Sequence, residues 1–180
     1  MNRTLPLLAL WLAALLVAAA AQAIAEDTPS RLEELIAGYV LNFTKFIEWP
    51  ESAHSEELVI CVAGNDGLYD ALRAGTRTGS VGPHHVTVRT IADASSAAGC
   101  HVLYIEPASP VHVSQFETSA PLLTVSDGSG FARAGGTIEL FTQQNRLRFI
   151  INLESARRAG LHISASLLQL AASVEGGAAR

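Results

Sequence analysis

Leu58-Val59-Ile60-Cys61-Val62-Ala63 is followed by Gly64-Asn65-Asp66-Gly67 and then by the helical stretch Leu68 to Ala74. An apolar run rich in β-branched residues, closed by turn formers and succeeded by a helix, reads as strand, turn and helix. The alternation continues downstream. Past a glycine-rich loop over Gly75 to Pro83, Val86-Thr87-Val88-Arg89 alternates as a strand, Ala92 to Gly99 is a small-residue loop, and His101 to Ile105 is again an apolar strand. Pro107 and Pro110 frame a turn, Val111 to Ser119 reads as a short helix, and Leu122 to Val125 is a further strand closed by Ser126-Asp127-Gly128. Thr137 to Thr142 and Arg146 to Leu153 alternate apolar and polar residues across Gln143-Gln144-Asn145, the pattern of an antiparallel hairpin with one solvated face. Glu154 to Ala159 gives one or two helical turns stopped by Gly160, and Ile163 to Val174 gives a last helix halted by Gly176-Gly177. Upstream, Ser30-Arg31-Leu32-Glu33 is a capping box, and apolar residues from Leu32 to Ile47 recur at helical spacing. A long amphipathic helix is therefore expected from Arg31 to Glu48, ending where Pro50 forces Trp49 out of the helical region. Strands alternating with helices define an α/β fold, a mostly parallel sheet flanked by helices on both faces with the C-terminal antiparallel hairpin at its edge.

Ahead of this series, Met1-Asn2-Arg3-Thr4 is a short basic start and Leu5 to Ala21 is almost wholly apolar, which matches the n-region and h-region of a secretory signal peptide. Ala21-Gln22-Ala23 and Ala23-Ile24-Ala25 present small residues at the spacing signal peptidase needs, so cleavage is expected before Ile24 or Glu26. An uncleaved anchor is the competing reading, since the run approaches the length of a span. No Cys stands near either cleavage site, so a lipid-anchored product is not expected. The expected organisation is a signal peptide over residues 1–25 and a single α/β domain over residues 26–180, with no membrane insertion after cleavage. Such a domain buries roughly 70% of its unfolded surface around one core. Lys and Arg total 12 against 17 Asp and Glu, and one of the 12 is Arg3 in the leader. An acidic surface lacks the phosphate-neutralising charge that nucleic acid requires, which argues against that partner.

Both cysteines, Cys61 and Cys100, fall in the exported part, where an oxidising compartment lets an even pair close. A disulfide between them is the natural reading, and two buried thiols that never meet is the other. Closing a loop of roughly 40 residues contributes about 4 kcal/mol in the chain-entropy model.

A search for catalysis finds no constellation. His54, His84, His85, His101, His112 and His162 show no metal-ligand spacing, so no metal is expected. Ser129 lies in Gly128-Ser129-Gly130, which is not the Gly-x-Ser-x-Gly of a nucleophile elbow. The loop Gly75 to Gly82 has no Lys after its glycines and follows a helix, so it is not a phosphate loop. Asn65 and Asp66 lie beyond the carboxyl end of the first long strand, where open α/β sheets bind ligands, and they are the candidate ligand residues. Asp66 in that turn is expected to cap the following helix and to repel an anion. Phe46 and Trp49, near the end of the first helix, are candidates for partner contact as well as for core. Arg146, Arg148, Arg157 and Arg158 gather basic charge into one short stretch of an acidic chain, and they read either as a solvated sheet face or as candidates for docking an acidic partner or anionic ligand.

The string Tyr39-Val40-Leu41-Asn42-Phe43-Thr44-Lys45-Phe46-Ile47-Glu48-Trp49-Pro50 resembles the opening motif of the YfiR/HmsC-like family. Leu58 to Gly64 is similar to that family's first strand, and Gly99-Cys100-His101-Val102-Leu103-Tyr104-Ile105 to its Cys-His strand. Leu123 to Asp127, Phe131-Ala132, Gly135-Gly136, Phe149 to Asn152, Ala159-Gly160-Leu161 and Leu167 to Ala171 complete the series in the family's order. The resemblance implies a non-catalytic periplasmic repressor that binds the periplasmic portion of an inner-membrane diguanylate cyclase. It also implies an OmpA-like outer-membrane lipoprotein that sequesters the repressor, and control of cyclic di-GMP, exopolysaccharide and biofilm. Family cysteines are redox-relevant; Cys61 and Cys100 match one pair, and the second pair that some members carry near Gly135 to Thr142 is absent here. The alternative reading is an exported small-ligand-binding sensor domain. A homodimer is left open, and no cofactor is expected.

Overall fold

Ser30 opens the first helix with a complete capping box: its hydroxyl accepts from the Glu33 N–H at 3.2 Å, and the Glu33 carboxylate accepts from the Ser30 N–H at 2.6 Å. The computed structural model describes residues 29–53, 56–77, 80–81, 84–116 and 120–176. The expected leader over residues 1–25 lies outside these, as does His54. Helix α1 spans Arg31–Phe43 and buries Ile36, Ala37, Val40 and Phe43. It does not reach Glu48. The Thr44 hydroxyl donates to the Leu41 carbonyl at 2.8 Å, residues Thr44–Phe46 tighten into a 3-10 turn, and Ile47–Glu48 forms a strand, β1. That strand pairs antiparallel with β9, His162–Ile163, in the register Ile47↔Ile163. The apolar spacing at Phe46 and Ile47 is therefore satisfied by a pairing across the chain instead of by further helix.

The main sheet takes strands β2 (Glu57–Ala63), β3 (Ser80–Val81), β4 (His84–Ile91), β5 (Val102–Ile105), β6 (Leu123–Ser126), β7 (Ile138–Gln143), β8 (Arg146–Asn152) and β10 (Ser173–Glu175). Helix α2, Asp66–Gly75, follows β2; α3, Leu153–Arg158, follows β8; and α4, Ala165–Leu170, precedes β10. The strand order is β10-β8-β7-β6-β5-β2-β4-β3. Pairs β2–β4, β2–β5, β5–β6, β6–β7 and β8–β10 are parallel, while β3–β4 and β7–β8 are antiparallel. The expected α/β class with a mostly parallel sheet holds, and the hairpin lies at one side with the short β10 added outside it. The hairpin turns on two residues, Gln144 (φ 51) and Asn145 (φ 60), whose left-handed backbone matches the twist of the flanking strands.

Two segments differ from the expected helices. Ile163 to Val174 is not continuous helix: Ser164 caps α4, its hydroxyl accepting from the Leu167 N–H at 3.3 Å, and the flanks leave to pair with β1 and β8. Within Val111 to Ser119 only a 3-10 turn at Val113–Gln115 forms, and residues 117–119 lie outside the described set.

Strand alternation divides the interior in two. On the first face Ile60, Val62, Val102, Tyr104, Leu123, Val125, Ile138 and Ile151 pack with α1 and α2, through Val40, Phe43, Leu68 and Leu72. These side chains exclude water at about 25 cal/mol per Å² of apolar surface buried. On the second face Cys61, Leu103 and Ile105 are covered by the 3-10 turns at Ala94–Ala97 and Val113–Gln115 and by the loop 127–136. That loop is held by Glu139, a buried carboxylate that accepts from the Gly130 and Ala132 N–H groups, each at 3.0 Å. Both oxygens are satisfied, as a buried charge requires.

Candidate interaction site

The strand order reverses between β2 and β5, because β2 leads through α2 to β4 on one side while β5 lies on the other. This is the switch point at which open α/β sheets place ligands. Here a hydrogen bond closes it: Asn65 Nδ2 donates to Glu106 Oε2 at 2.7 Å. The other end of the same amide accepts from the Leu68 N–H at 2.8 Å, so Asn65 caps α2. Asp66 is the first helical residue and is exposed; the expected capping role passes to its neighbour, because only a residue still in extended backbone can turn its side chain back onto the first turn. On β5 itself, next to β2, the Tyr104 hydroxyl donates to Asp127, just past the end of β6, at 2.7 Å. Burial foremost, and then the Asp127 carboxylate, push the Tyr104 phenol above its ordinary ionisation range. Tyr104 and Asp127 carry no motif, and the sequence reading missed them; the register of β5 and β6 brings them together.

The structure joins Cys61 to Cys100, with Cα atoms 5.9 Å apart. The bridge ties the middle of β2 to the entry of β5 on the second face. Arg89 on β4 reaches over it, donating to the Ala98 carbonyl and, at 3.3 Å, to Cys100 Sγ. His101 accepts from the Val59 N–H through Nδ1 at 3.1 Å, so Nε2 carries the proton and donates to the Ala53 carbonyl at 3.2 Å. Trp49 sits edge-on to that imidazole, ring centroids 6.3 Å apart. Trp49 and Phe46 are half-buried and pack against the first-face core, and Ser164 N–H donates to the Phe46 carbonyl at 2.9 Å. Their geometry makes them wedges between α1 and the sheet, with part of each ring left at the surface.

The four arginines do not form one patch. Arg146 and Arg148 are exposed on the second face of β8, opposite in direction to the buried Leu147, Phe149 and Ile151. Arg157 and Arg158 lie past the far end of the strand, on α3, where Arg158 pairs with Glu154 at 2.8 Å and Arg157 reaches the Gly176 carbonyl at 3.5 Å. Asn152 stands four positions after Arg148 on the strand, roughly 13 Å at about 3.3 Å per position.

Among the described residues no group of His, Cys, Asp and Glu is arranged to hold a metal ion. No helix among them is long and apolar enough to cross a membrane. The fold and the site define a disulfide-tied α/β domain with a mostly parallel sheet. A family model, described as YfiR/HmsC-like, matches residues 33–172, and the chain belongs to that family. The family is one of periplasmic regulators of diguanylate cyclase signalling. No curated protein matches. Solved structures match, among them the ABC domain in complex with L-Trp from Streptococcus pneumonia, at a TM-score of 0.45 and 10% identity, covering 79% of this chain and 60% of that one. The chain thus spans about three-fifths of that neighbour's length.

Proposed function

We propose that this protein is a periplasmic repressor that binds the periplasmic portion of an inner-membrane diguanylate cyclase and lowers its output of cyclic di-GMP, with exopolysaccharide and biofilm formation following. The observation that carries the reading is the family match over residues 33–172. The rest of the proposal is consistent with it: cleavage of residues 1–25 frees a single domain over residues 26–180, and an OmpA-like outer-membrane lipoprotein takes the repressor away from the cyclase. Inhibition follows from differential affinity, because a protein that binds the inactive cyclase more tightly than the active one shifts the population toward it. The partner contacts are drawn from Trp49, Phe46 and the arginines Arg146, Arg148, Arg157 and Arg158. The test is deletion of the gene in a strain expressing a cognate cyclase: cyclic di-GMP rises, and complementation restores it. An unchanged level in the deletion strain overturns the proposal.

A second reading, a small-ligand sensor, draws support from a cavity of about 440 Å³ beside the carboxyl ends of β5 and β6, lined by residues that include Val111, Ser126, Ser129 and Phe131. The turn residues Asn65 and Asp66 are less suited, since both ends of the Asn65 amide are engaged. A thermal-shift screen in which a small molecule raises the midpoint, and a Phe131→Ala variant abolishes the rise, supports it.

A further inference from the structure

The loop 127–136 is tied to the second face of the β7–β8 hairpin at Glu139. Beyond it the register aligns Glu139 with Ile150, Phe141 with Arg148 and Gln143 with Arg146, so these side chains share one face. Phe141 and Ile150 are half-exposed, and among the described residues neither joins a buried cluster. Arg146 and Arg148 are exposed and make no ion pair or hydrogen bond to the described residues. A half-buried aromatic and a half-buried aliphatic side chain thus stand beside two guanidinium groups that have no partner among the described residues. Among the described hairpin residues the carboxylate on this face is Glu139, buried and spent on the loop; Glu175 of β10 shares the face farther along, in register with Asn152.

We infer that this open face of the hairpin is a docking surface for an extended acidic segment of a partner protein. The inference rests on the proposed repressor reading and names the face through which it would act. Ile150, Arg148 and Arg146 stand two residues apart on one side of β8, a repeat of roughly 6.6 Å. An extended partner segment has the same repeat, so an apolar residue followed by carboxylates at alternate positions faces the three in turn. Guanidinium forks bind carboxylates through two parallel N–H bonds, and the neighbouring phenyl ring removes water from the contact. A protein partner fits better than a membrane or nucleic acid: two arginines on a chain of formal charge −5 are too few to hold a polyanion.

The probe is an unstructured peptide repeating Leu-Ser-Glu-Ser-Glu, titrated into the isotope-labelled mature protein and followed by amide NMR shifts. The expected result is shifts confined to β7 and β8 around residues 141–150, with affinity falling as salt rises. Arg146→Glu combined with Arg148→Glu should weaken binding at least tenfold, as should Phe141→Ser, with melting curves confirming that both variants fold. Arg31→Glu combined with Lys45→Glu, both exposed on the helical stretch that covers the other face of the sheet, should leave it within twofold. Equal affinity in the Arg146/Arg148 variant, shifts centred elsewhere, or no binding at low salt overturns the inference. So does arginine-dependent flotation with phosphatidylglycerol vesicles, which would make the face a membrane contact. The two readings separate in cells. A deletion strain with unchanged cyclic di-GMP defeats the repressor proposal while the titration still decides the surface. A deletion strain fully restored by the Arg146/Arg148 variant defeats the surface alone.

Discussion

Tyr104 is the residue on which chemistry and stability meet most directly. It is fully buried, and its hydroxyl is held by Asp127. Its phenol ionises above the ordinary range in the folded chain, chiefly because burial penalises the phenolate. Below about pH 10 tyrosine is neutral in both folded and unfolded chains, and its contribution is fully present. Above that pH the unfolded chain's tyrosine releases its proton while the folded one does not, so stability is lost as pH rises. Denaturant unfolding of the wild type and Tyr104→Phe across pH 9 to 11 should show the wild type losing up to about 1.4 kcal/mol more per pH unit above the unfolded pKa. Near neutrality the variant should be weaker by about 1 kcal/mol for the lost hydrogen bond. Parallel pH curves would contradict the assignment. Neither effect could be read from Tyr104 or Asp127 in the sequence, because 23 positions separate them and only strand pairing makes them neighbours.

At the scale of elements, α2 and its cap connect the switch point to the helix layer. Asn65 serves the Leu68 N–H and the Glu106 carboxylate with one amide. Replacement by Ala removes both contacts, and a cost of about 1 to 2 kcal/mol follows from the cap alone. Urea midpoints of Asn65→Ala and Asn65→Asp should separate the two roles: Asp keeps the acceptor for Leu68 and adds repulsion toward Glu106, so it should recover only part of the loss. Full recovery would show that the bridge to β5 contributes nothing. Boundaries explain why some elements were legible and others were not. The capping box at Ser30 and Glu33 is local, and it fixed the start of α1 correctly. The end is not local, because Ile47 answers to Ile163, more than a hundred positions later. The same holds for the last helix, shortened because Val174 pairs with Ile151. Helical periodicity in a short apolar segment does not reveal a partner strand.

The disulfide acts on the whole molecule. It links β2 and the entry of β5, strands that already pair, across a separation of 39 residues. Its contribution therefore resides largely in restricting the unfolded chain, about 4 kcal/mol in the chain-entropy model. The double variant Cys61→Ala with Cys100→Ala should lose roughly 2 to 5 kcal/mol in denaturant unfolding while keeping the native far-ultraviolet spectrum if it folds. A loss below 1 kcal/mol would mean that the reduced chain is already constrained. Arg89, stretched over the bridge, is a packing partner the sequence did not suggest; its strand register with Cys61 puts it there.

By itself the sequence determined what depends on local order. The alternation of strands and helices, the helix starts, the cysteine pair and the ordered family motifs are all written in neighbouring residues, and these carried the α/β class and the family. Tertiary structure decided what depends on register. It split the arginines into two groups, since two lie on the face of β8 and two on a helix past its end. It also set Phe141 beside Arg148, because a two-residue turn at Gln144 and Asn145 fixes which hairpin residues stand opposite. A one-residue change in that connection would turn every side chain of the strand to the other face, which is why the place of Phe141 beside the docking arginines depended on the fold.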